Sequence, residues 1–329
     1  MNNIERITGL LLIEVRNSNP NGNPESEGSP RQRPDRKGEI SPVSIKRKER
    51  DLVLEKEGPV WKSLKTKLGI QDDNCFEILE RRERVRKEIT LEIQQGQFTS
   101  KYWDGRLFGN TFLESKEKAG ADLGKALSKE EWAKMQKNIN SGVAHFGVGI
   151  SLAPIDIGFQ TWTNKAGVEE GLDRGMAPMG FRIVRHGLYA VPFFINPNQA
   201  HKTNCTWDDV LLMLHLLRHA YPHTRSVVRS EVEVVHAHAV AHKNCVGSFS
   251  DFALIDAFKP SKPKDPDKPS ETFKDYEPIP TWETVKNLPI RAGSKTTFGQ
   301  VAVYVNFAEE QEKKDPFAEE LAKLRQAAK

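Results

Sequence analysis

From Val228 to Ala241 the chain alternates with a period of two, continuing into His242. Val232, Val234, His236, His238, Val240 and His242 fall on one side; Val235, Ala237, Ala239 and Ala241 fall on the other. That period is the signature of a β-strand, whose successive side chains point to opposite faces. A row of alanines suits a face covered closely by a helix. The chain is therefore expected to hold a sheet with helices packed on it.

Further elements are placed around this strand. Residues 7–16 read as an opening strand, apolar enough to be buried on both faces. The run Asn17-Ser-Asn-Pro-Asn-Gly-Asn-Pro24 is a dense turn cluster, followed by a Pro-broken polar loop to Pro42. Val43 to about Glu57 is predicted helical, stopped by Gly58-Pro59, with Ile45, Leu52 and Val53 as its buried stripe. A second helix from Asn74 to Gln95 carries a thin apolar line through Ile78, Val85, Ile89 and Ile93. Ser128 to Glu131 is a capping box opening a short helix to about Asn138. Strands are expected over Val143–Ile157 and Gly180–Ile195, bracketing an exposed hairpin or loop from Thr163 to Met179. Thr206 to Asp209 opens an amphipathic helix presenting Val210, Leu211, Leu214 and Leu217. Lys259 to Pro280 is an extended connector, Gln300 to Phe307 a late strand, and Asp315-Pro316 starts a terminal helix with Phe317, Leu321 and Leu324 on one stripe. No internal repeat is visible. The order approximates β-α-β-β-α-β, an α+β chain of the ferredoxin-like or RNA-recognition-motif kind.

Composition narrows the classes. At 329 residues, with 37% hydrophobic and 29% charged residues, the chain has enough apolar material for a core. No apolar run approaches the ~20 residues that span a bilayer, so no membrane association is expected. The N-terminus lacks the pattern of a signal peptide. Three scattered cysteines (Cys75, Cys205, Cys245) argue against a disulfide framework, and a cytoplasmic location is expected. Net charge is only +4, but Arg31 to Arg50 concentrates eight basic residues against three acids, which suggests a polyanion contact.

No GxxxxGK[ST], GxGxxG or GxSxG motif is present. His236 and His238 share a strand face and are the one candidate metal pair. His242 lies too far along a straight strand to join them, no carboxylate cluster supports them, and a polar sheet face is the reading preferred. Asp35 sits among Arg33, Arg36 and Lys37; Asp104 is expected to pair structurally with Arg106. Lys46 and Arg50 are i,i+4 neighbours on the first helix, with Arg47 about 100° round from Lys46. These cations beside an Asn-Gly turn can hold phosphates without reading bases. No cofactor is expected.

Three motifs in order, Asn17 to Pro24, Ile45-Lys-Arg-Lys-Glu-Arg-Asp51 and Trp103-Asp-Gly-Arg-Leu-Phe-Gly109, resemble the CRISPR-associated "Cas-seven" backbone subunits of type I Cascade surveillance complexes. The type I-C branch is nearest, with type I-B next. Ser151-Leu-Ala-Pro-Ile155 and Met179-Gly180 leading to Gly187-Leu-Tyr189 extend the likeness, which spans residues 7 to about 242. Departures include Ser18 where the family usually has Gly, Asn23 where it has Asp, and Gly105 in place of an aliphatic. The resemblance implies a hand-shaped protein. Residues 1–58 would carry the first strand and RNA-gripping helix of the palm, 59–140 a finger-like insertion, and 141–307 the rest of the palm. The thumb would lie at about 160–181, a Pro-rich loop at 259–280 and a helical tail at 308–329. It implies non-catalytic copies stacked head to tail along CRISPR RNA, presenting the guide for pairing with target DNA in antiviral defence. Large, small and repeat-processing end subunits would complete the ribonucleoprotein. Asn19, Asn21, Arg31, Lys46, Arg47, Arg50, Arg106 and Arg182 are then the RNA-gripping candidates, with Met176 and Met179 in the thumb. The alternative is a type III-like backbone subunit cleaving target RNA through Asp35.

Overall fold

The computed structural model describes residues 4–112, 115–164, 177–262, 264–310 and 312–327. The strands β1 (Ile7–Ser18), β2 (Gly22–Asn23), β3 (Ser29–Pro30) and β4 (Lys37–Ile40) precede the helices α1 (Pro42–Leu54) and α2 (Pro59–Leu68). Short helices follow: α3 (Arg86–Gln95), α4 (Phe98–Lys101), α5 (Trp103–Phe108), α6 (Lys116–Leu123) and α7 (Lys129–Gln136). Next come β5 (Ala144–Phe146), β6 (Gly149–Pro154), β7 (Ile157–Asn164), β8 (Ala177–Ile195), α8 (Ala200–Thr203), α9 (Trp207–Leu216) and β9 (Val232–His242). The last elements are α10 (Asp251–Phe258), α11 (Trp282–Val285), α12 (Phe298–Val301), β10 (Ala302–Asn306) and α13 (Pro316–Ala327).

The fold is α+β. One antiparallel sheet runs in the order β10-β9-β1-β8-β6-β4, with β5 and β7 also paired to β8. β8 is its spine: Val184 to Ile195 pair with β1, while Ala177 to Val184 extend beyond as an arm with β7. β1 is apolar on both faces because it lies between two cores. Ile7, Leu11, Ile13 and Val15 share a cluster with Ile45 and Val53 of α1 and all of Val210–Leu214 in α9. Leu10 and Leu12 face the other way, toward Leu254, Ile255 and Phe258 of α10.

Several expected boundaries shift for local reasons. The loop before Pro42 contains β4, which is short and was masked by its polar residues. Ser41 caps α1 through Oγ, with Pro42 at the first helical position. α1 ends at Leu54, earlier than the expected Glu57, and Gly58-Pro59 opens α2 instead, since a proline costs nothing where the amide has no helical partner. The stretch from Asn74 is not one helix: only Arg86–Gln95 is α-helical, closed by Gly96 at φ 76°. The helix from Trp207 is not amphipathic; Asp209 through Leu216 are all buried. It lies among the sheet, α1, α2 and α5, so from Asp209 onward no side meets water. The alternation of β9 also breaks. Leu12 pairs with His236 but Ile13 pairs with Val234, leaving Val235 as a bulge. Val232 and Val234 therefore join Ala237, Ala239 and Ala241 on the α9 side, not the histidine side.

Leu79, Ile89, Ile93, Phe98, Tyr102, Ala119, Leu127 and Met135 form a separate small core. α2, by contrast, buries Trp61 and Leu64 in the large one. The terminal helix packs on its own chain: Phe317 is wholly buried, 5.6 Å from the ring of Phe307. The Pro-rich connector is tied down where Ser270 Oγ meets His186 Nδ1 at 2.8 Å and receives the Tyr276 hydroxyl at 3.0 Å. Among the described residues no helix is long and apolar enough to cross a membrane.

Candidate nucleic-acid interface

The Asn-Gly turn after β1 folds into a hairpin because two glycines permit it. Gly28 takes φ 74°, and at Gly22 an added Cβ would sit 2.8 Å from the carbonyl of Gly28. β2 and β3 pair across it. Asn19 is buried, its Nδ2 donating to the carbonyls of Gly28 (2.7 Å) and Arg182 (3.3 Å). Asn21 Oδ1 accepts from Ser41 N–H at 2.6 Å, which fastens the hairpin to the N-terminus of α1. Both asparagines thus build the loop. The Asn19 side chain, expected to grip RNA, is buried and commits both its donors within the chain.

The hairpin collects cations from four segments. Arg31 donates its amide to Asn21 O at 3.2 Å, and its Nε has no partner among the described residues. The exposed Arg182, on the β8 arm, donates through Nη1 to Ser29 Oγ at 2.9 Å. Arg229 donates through Nε to Asn19 O at 3.2 Å. Lys48 of α1 places Nζ 2.9 Å from Thr224 Oγ1 and 4.6 Å from the Tyr221 ring centre. Burial, then the neighbouring Arg229, lower the Lys48 ammonium to about 8. The sequence reading missed Arg229, and it counted Lys48 only as part of the basic run. The signal was present in His223-Thr-Arg-Ser-Val-Val-Arg229, but two cations in a loop form no run, and only folding sets that loop against Asn19.

On the other flank of α1 lies a cleft of about 720 Å³, lined by Val43, Lys46, Arg50, Phe108, Thr111 and Ile139 among others. Lys46 Nζ stands 4.9 Å from the centre of the Phe108 ring, and the Arg50 guanidinium 5.3 Å from the same ring. Burial and the Arg50 charge hold the Lys46 ammonium below its usual range, with Glu49 opposing. Arg47 is half-buried and pairs with Asp51 at 2.7 Å.

Two expected RNA-gripping arginines are mainly structural. Arg50 Nε donates to Asp104 Oδ2 at 2.7 Å, and Asp104 also accepts from the amides of Leu79 and Glu80. Asp104 pairs with Arg50, then, not with Arg106 as expected. Arg106 is buried and uses all five of its N–H donors: two on Asp209, and one each on the carbonyls of Thr99, Ser100 and Cys75. All five donors are thus committed within the chain, and none points to the hairpin.

Met176 lies outside the described residues. Met179 pairs through its backbone with Trp162, and its side chain is outside them too. Asp35 is exposed, accepts from the Lys37 amide at 3.2 Å and lies 3.5 Å from Arg33 Nε. His236 and His238 stack at 4.7 Å, and His238 stacks in turn on Phe258 at 4.0 Å. Among the described residues no group of three His, Cys, Asp or Glu side chains is placed to hold a metal ion.

Comparison with known proteins is informative at the family level. A family model described as "CRISPR-associated protein Cas7" matches residues 5–279. A chain of a solved "CRISPR RNA-guided surveillance complex, pre-nicking" aligns over 71% of this chain and 78% of its own, at 11% identity and TM-score 0.41. One from a "CRISPR RNA-guided surveillance complex" aligns over 71% and 68%, at 13% identity and TM-score 0.39. Likenesses that low carry no argument about the site. No curated protein matches the chain.

Proposed function

The chain belongs to the CRISPR-associated Cas7 family, and we propose that it is a non-catalytic backbone subunit of a type I Cascade surveillance complex. In this reading it binds CRISPR RNA along its length, stacks with further copies and presents the guide to target DNA. The observation that carries the proposal is the bond from Ser41 N–H to Asn21 Oδ1. It joins an amide-rich hairpin, which carries Arg31, to the N-terminus of a helix whose first turn holds no acid and which carries Lys46; Arg182 and Arg229 bond to the hairpin from β8 and from the loop before β9. Amides, a helix N-terminus and cations suit a phosphate backbone and carry no base specificity.

The finer architecture belongs to the same proposal. Antiparallel order β9-β1-β8-β6, with α1 and α9 on one face, is what a ferredoxin-like palm has. The separate core of residues 79–135 would be the body of a finger, and the β7–β8 arm the base of a thumb that displaces bases. A type I-C-like complex in the cytoplasm, with large, small and repeat-processing subunits, completes the reading.

Two measurements test it. Lys46→Ala with Arg47→Ala should weaken binding of a single-stranded RNA equally for any sequence, and should make the log-affinity against log-salt slope shallower by roughly 1.4, at ~0.7 per lost contact. A folded double variant with an unchanged slope takes this helix out of the interface. Complementary target RNA incubated with the guide-loaded protein and Mg²⁺ should remain intact. Cleavage abolished by Asp35→Ala would instead establish the type III-like activity.

A further inference from the structure

Asn21-Gly22 is the one Asn-Gly pair in the chain. Such a pair is reactive in itself, because a glycine nitrogen meets no side chain of its own on the way to the neighbouring side-chain carbonyl. The fold keeps the pair: at Gly22 an added Cβ would lie 2.8 Å from Gly28 O, so a side chain there would have to push the hairpin open. The Gly22 amide also stays outside the hairpin ladder. Gly22 pairs with Pro30, and Arg31 N–H donates to Asn21 O beside that pair. In an antiparallel ladder, bonds that flank a pair leave its own N–H facing outward. Both residues are half-buried, within reach of water.

The Asn21 side chain is held as an electrophile. Its Oδ1 accepts from Ser41 N–H at 2.6 Å, at the start of α1. A fixed backbone donor stabilises the negative charge that develops on a carbonyl oxygen under attack, and the helix N-terminus adds its partial positive charge. Its Nδ2 is held loosely: among the described residues its one partner is Gly22 O, at 3.4 Å. That contact lays the amide along the backbone of residue 22, and little binds the nitrogen that has to leave. Asn19 is the contrast. It commits Nδ2 to two carbonyls, and Pro20 after it has no N–H to attack with.

We propose that Asn21 is a self-modification site, which converts to aspartate or its β-linked isomer and thereby switches off the hairpin of a subunit that holds no RNA. The Gly22 nitrogen attacks Asn21 Cγ, and the new C–N bond closes a five-membered succinimide. The Cγ–Nδ2 bond breaks, and the Gly22 amide proton leaves with that nitrogen as ammonia. Water then adds to either ring carbonyl and reopens the ring, giving aspartate or the β-linked residue. Both products put a carboxylate at the start of α1, in the hairpin that carries Arg31 and is bonded by Arg182. The β-linked one also adds a carbon to the backbone. The consequence rests on the RNA-binding reading above: the carboxylate repels phosphates, and bound RNA covers the hairpin and keeps Asn21 intact.

The test incubates full-length protein at mildly alkaline pH and follows the amide-to-acid mass change at each asparagine. Asn21 should convert ahead of every other asparagine, and at least as fast as in the same chain unfolded in urea. Guide-length single-stranded RNA should slow it. Ser41 has φ −73°, which proline adopts, so Ser41→Pro removes the activating N–H and should slow conversion by up to about 100-fold, as loss of an oxyanion donor does. Asn21→Asp keeps an acceptor for Ser41 N–H. It should weaken binding of the same RNA roughly 5-fold or more, the repulsion of one unit charge facing a phosphate at ~4 Å, and the defect should shrink as salt rises. Asn21 intact in the folded chain while it converts in urea, or faster conversion in Ser41→Pro, overturns the proposal, because the fold then protects the amide. Conversion with full affinity in Asn21→Asp and no protection by RNA overturns the switch. Wild-type protein that binds no RNA overturns the underlying reading instead, and is seen before any variant is made.

Discussion

Replacing Arg106 by alanine is expected to cost about 3–5 kcal/mol of folding stability, the usual penalty for breaking a buried ion pair by removing one partner. Asp209 is left as a buried carboxylate that has lost its counter-charge, and three backbone carbonyls lose their donor. Those carbonyls come from Cys75, Thr99 and Ser100, so the same truncation unties α4 and the turn at Asp73–Phe76 from α5 and α9. Arg106→Lys separates this role from phosphate gripping. A lysine keeps the charge but cannot fill five acceptors in a fixed fork, so its melting temperature should fall nearly as far as that of the alanine variant. At a temperature where the Lys variant is folded, its RNA salt slope should match wild type. A stable Arg106→Ala protein with a shallower slope would return the residue to the RNA surface.

The second large effect concerns pH. Glu49 sits on α1 between Lys46 and Arg50, is wholly buried, and neither carboxylate oxygen has a hydrogen-bond partner among the described residues. Burial pushes its carboxyl well above the usual range, against the lowering pull of Arg50 and Lys46. The unfolded chain releases this proton near 4.5 while the folded protein keeps it. Above that pH the folded state binds more protons than the unfolded, so stability falls as pH rises, by up to about 1.4 kcal/mol per unit. Other groups bound the clean window. His215 and His219 are lowered to about 4, and His238 to about 3, chiefly by burial, and they destabilise the fold only below the ordinary histidine value of 6.5. Lys48 and Lys56, lowered to about 8 by burial, add stability only as pH rises beyond that. Between pH 6.5 and 8 the wild-type unfolding free energy should therefore drop by up to about 2 kcal/mol. Glu49→Gln, a neutral mimic of the protonated acid, should be flat across the window and more stable than wild type at pH 8. Parallel pH profiles for the two proteins would show that Glu49 is ionised in the fold.

Much of the fold was legible because it is local. β1 and the strand at Val232–His242 announce themselves by hydrophobicity and period. The caps at Ser128 and Thr206 are three-residue patterns whose side chains find their own helix amides, and both form as expected, including the box closed by Asp209. The Asn-Gly hairpin was readable as a turn because glycine is needed where φ is positive and where two backbones nearly touch. The motif order also sufficed to place the chain near its family.

What the sequence by itself determined is thus the presence of a sheet, its main strands, the capped helices and the basic concentration on α1. Tertiary structure alone decided which charges are free. Arg47 and Arg50 differ by three positions on one helix, yet one meets solvent and the other a buried carboxylate fifty-four residues away. Arg106 and Asp209 are more distant still, and no spacing rule reaches across 103 residues. The bulge at Val235 is of the same kind: one extra residue, invisible in composition, moves Val232 and Val234 to the other core. Local pattern records which atoms want to leave water. Which polar groups leave with them is settled only when distant segments close over one another, because a buried charge is tolerable only where a partner arrives at the same place.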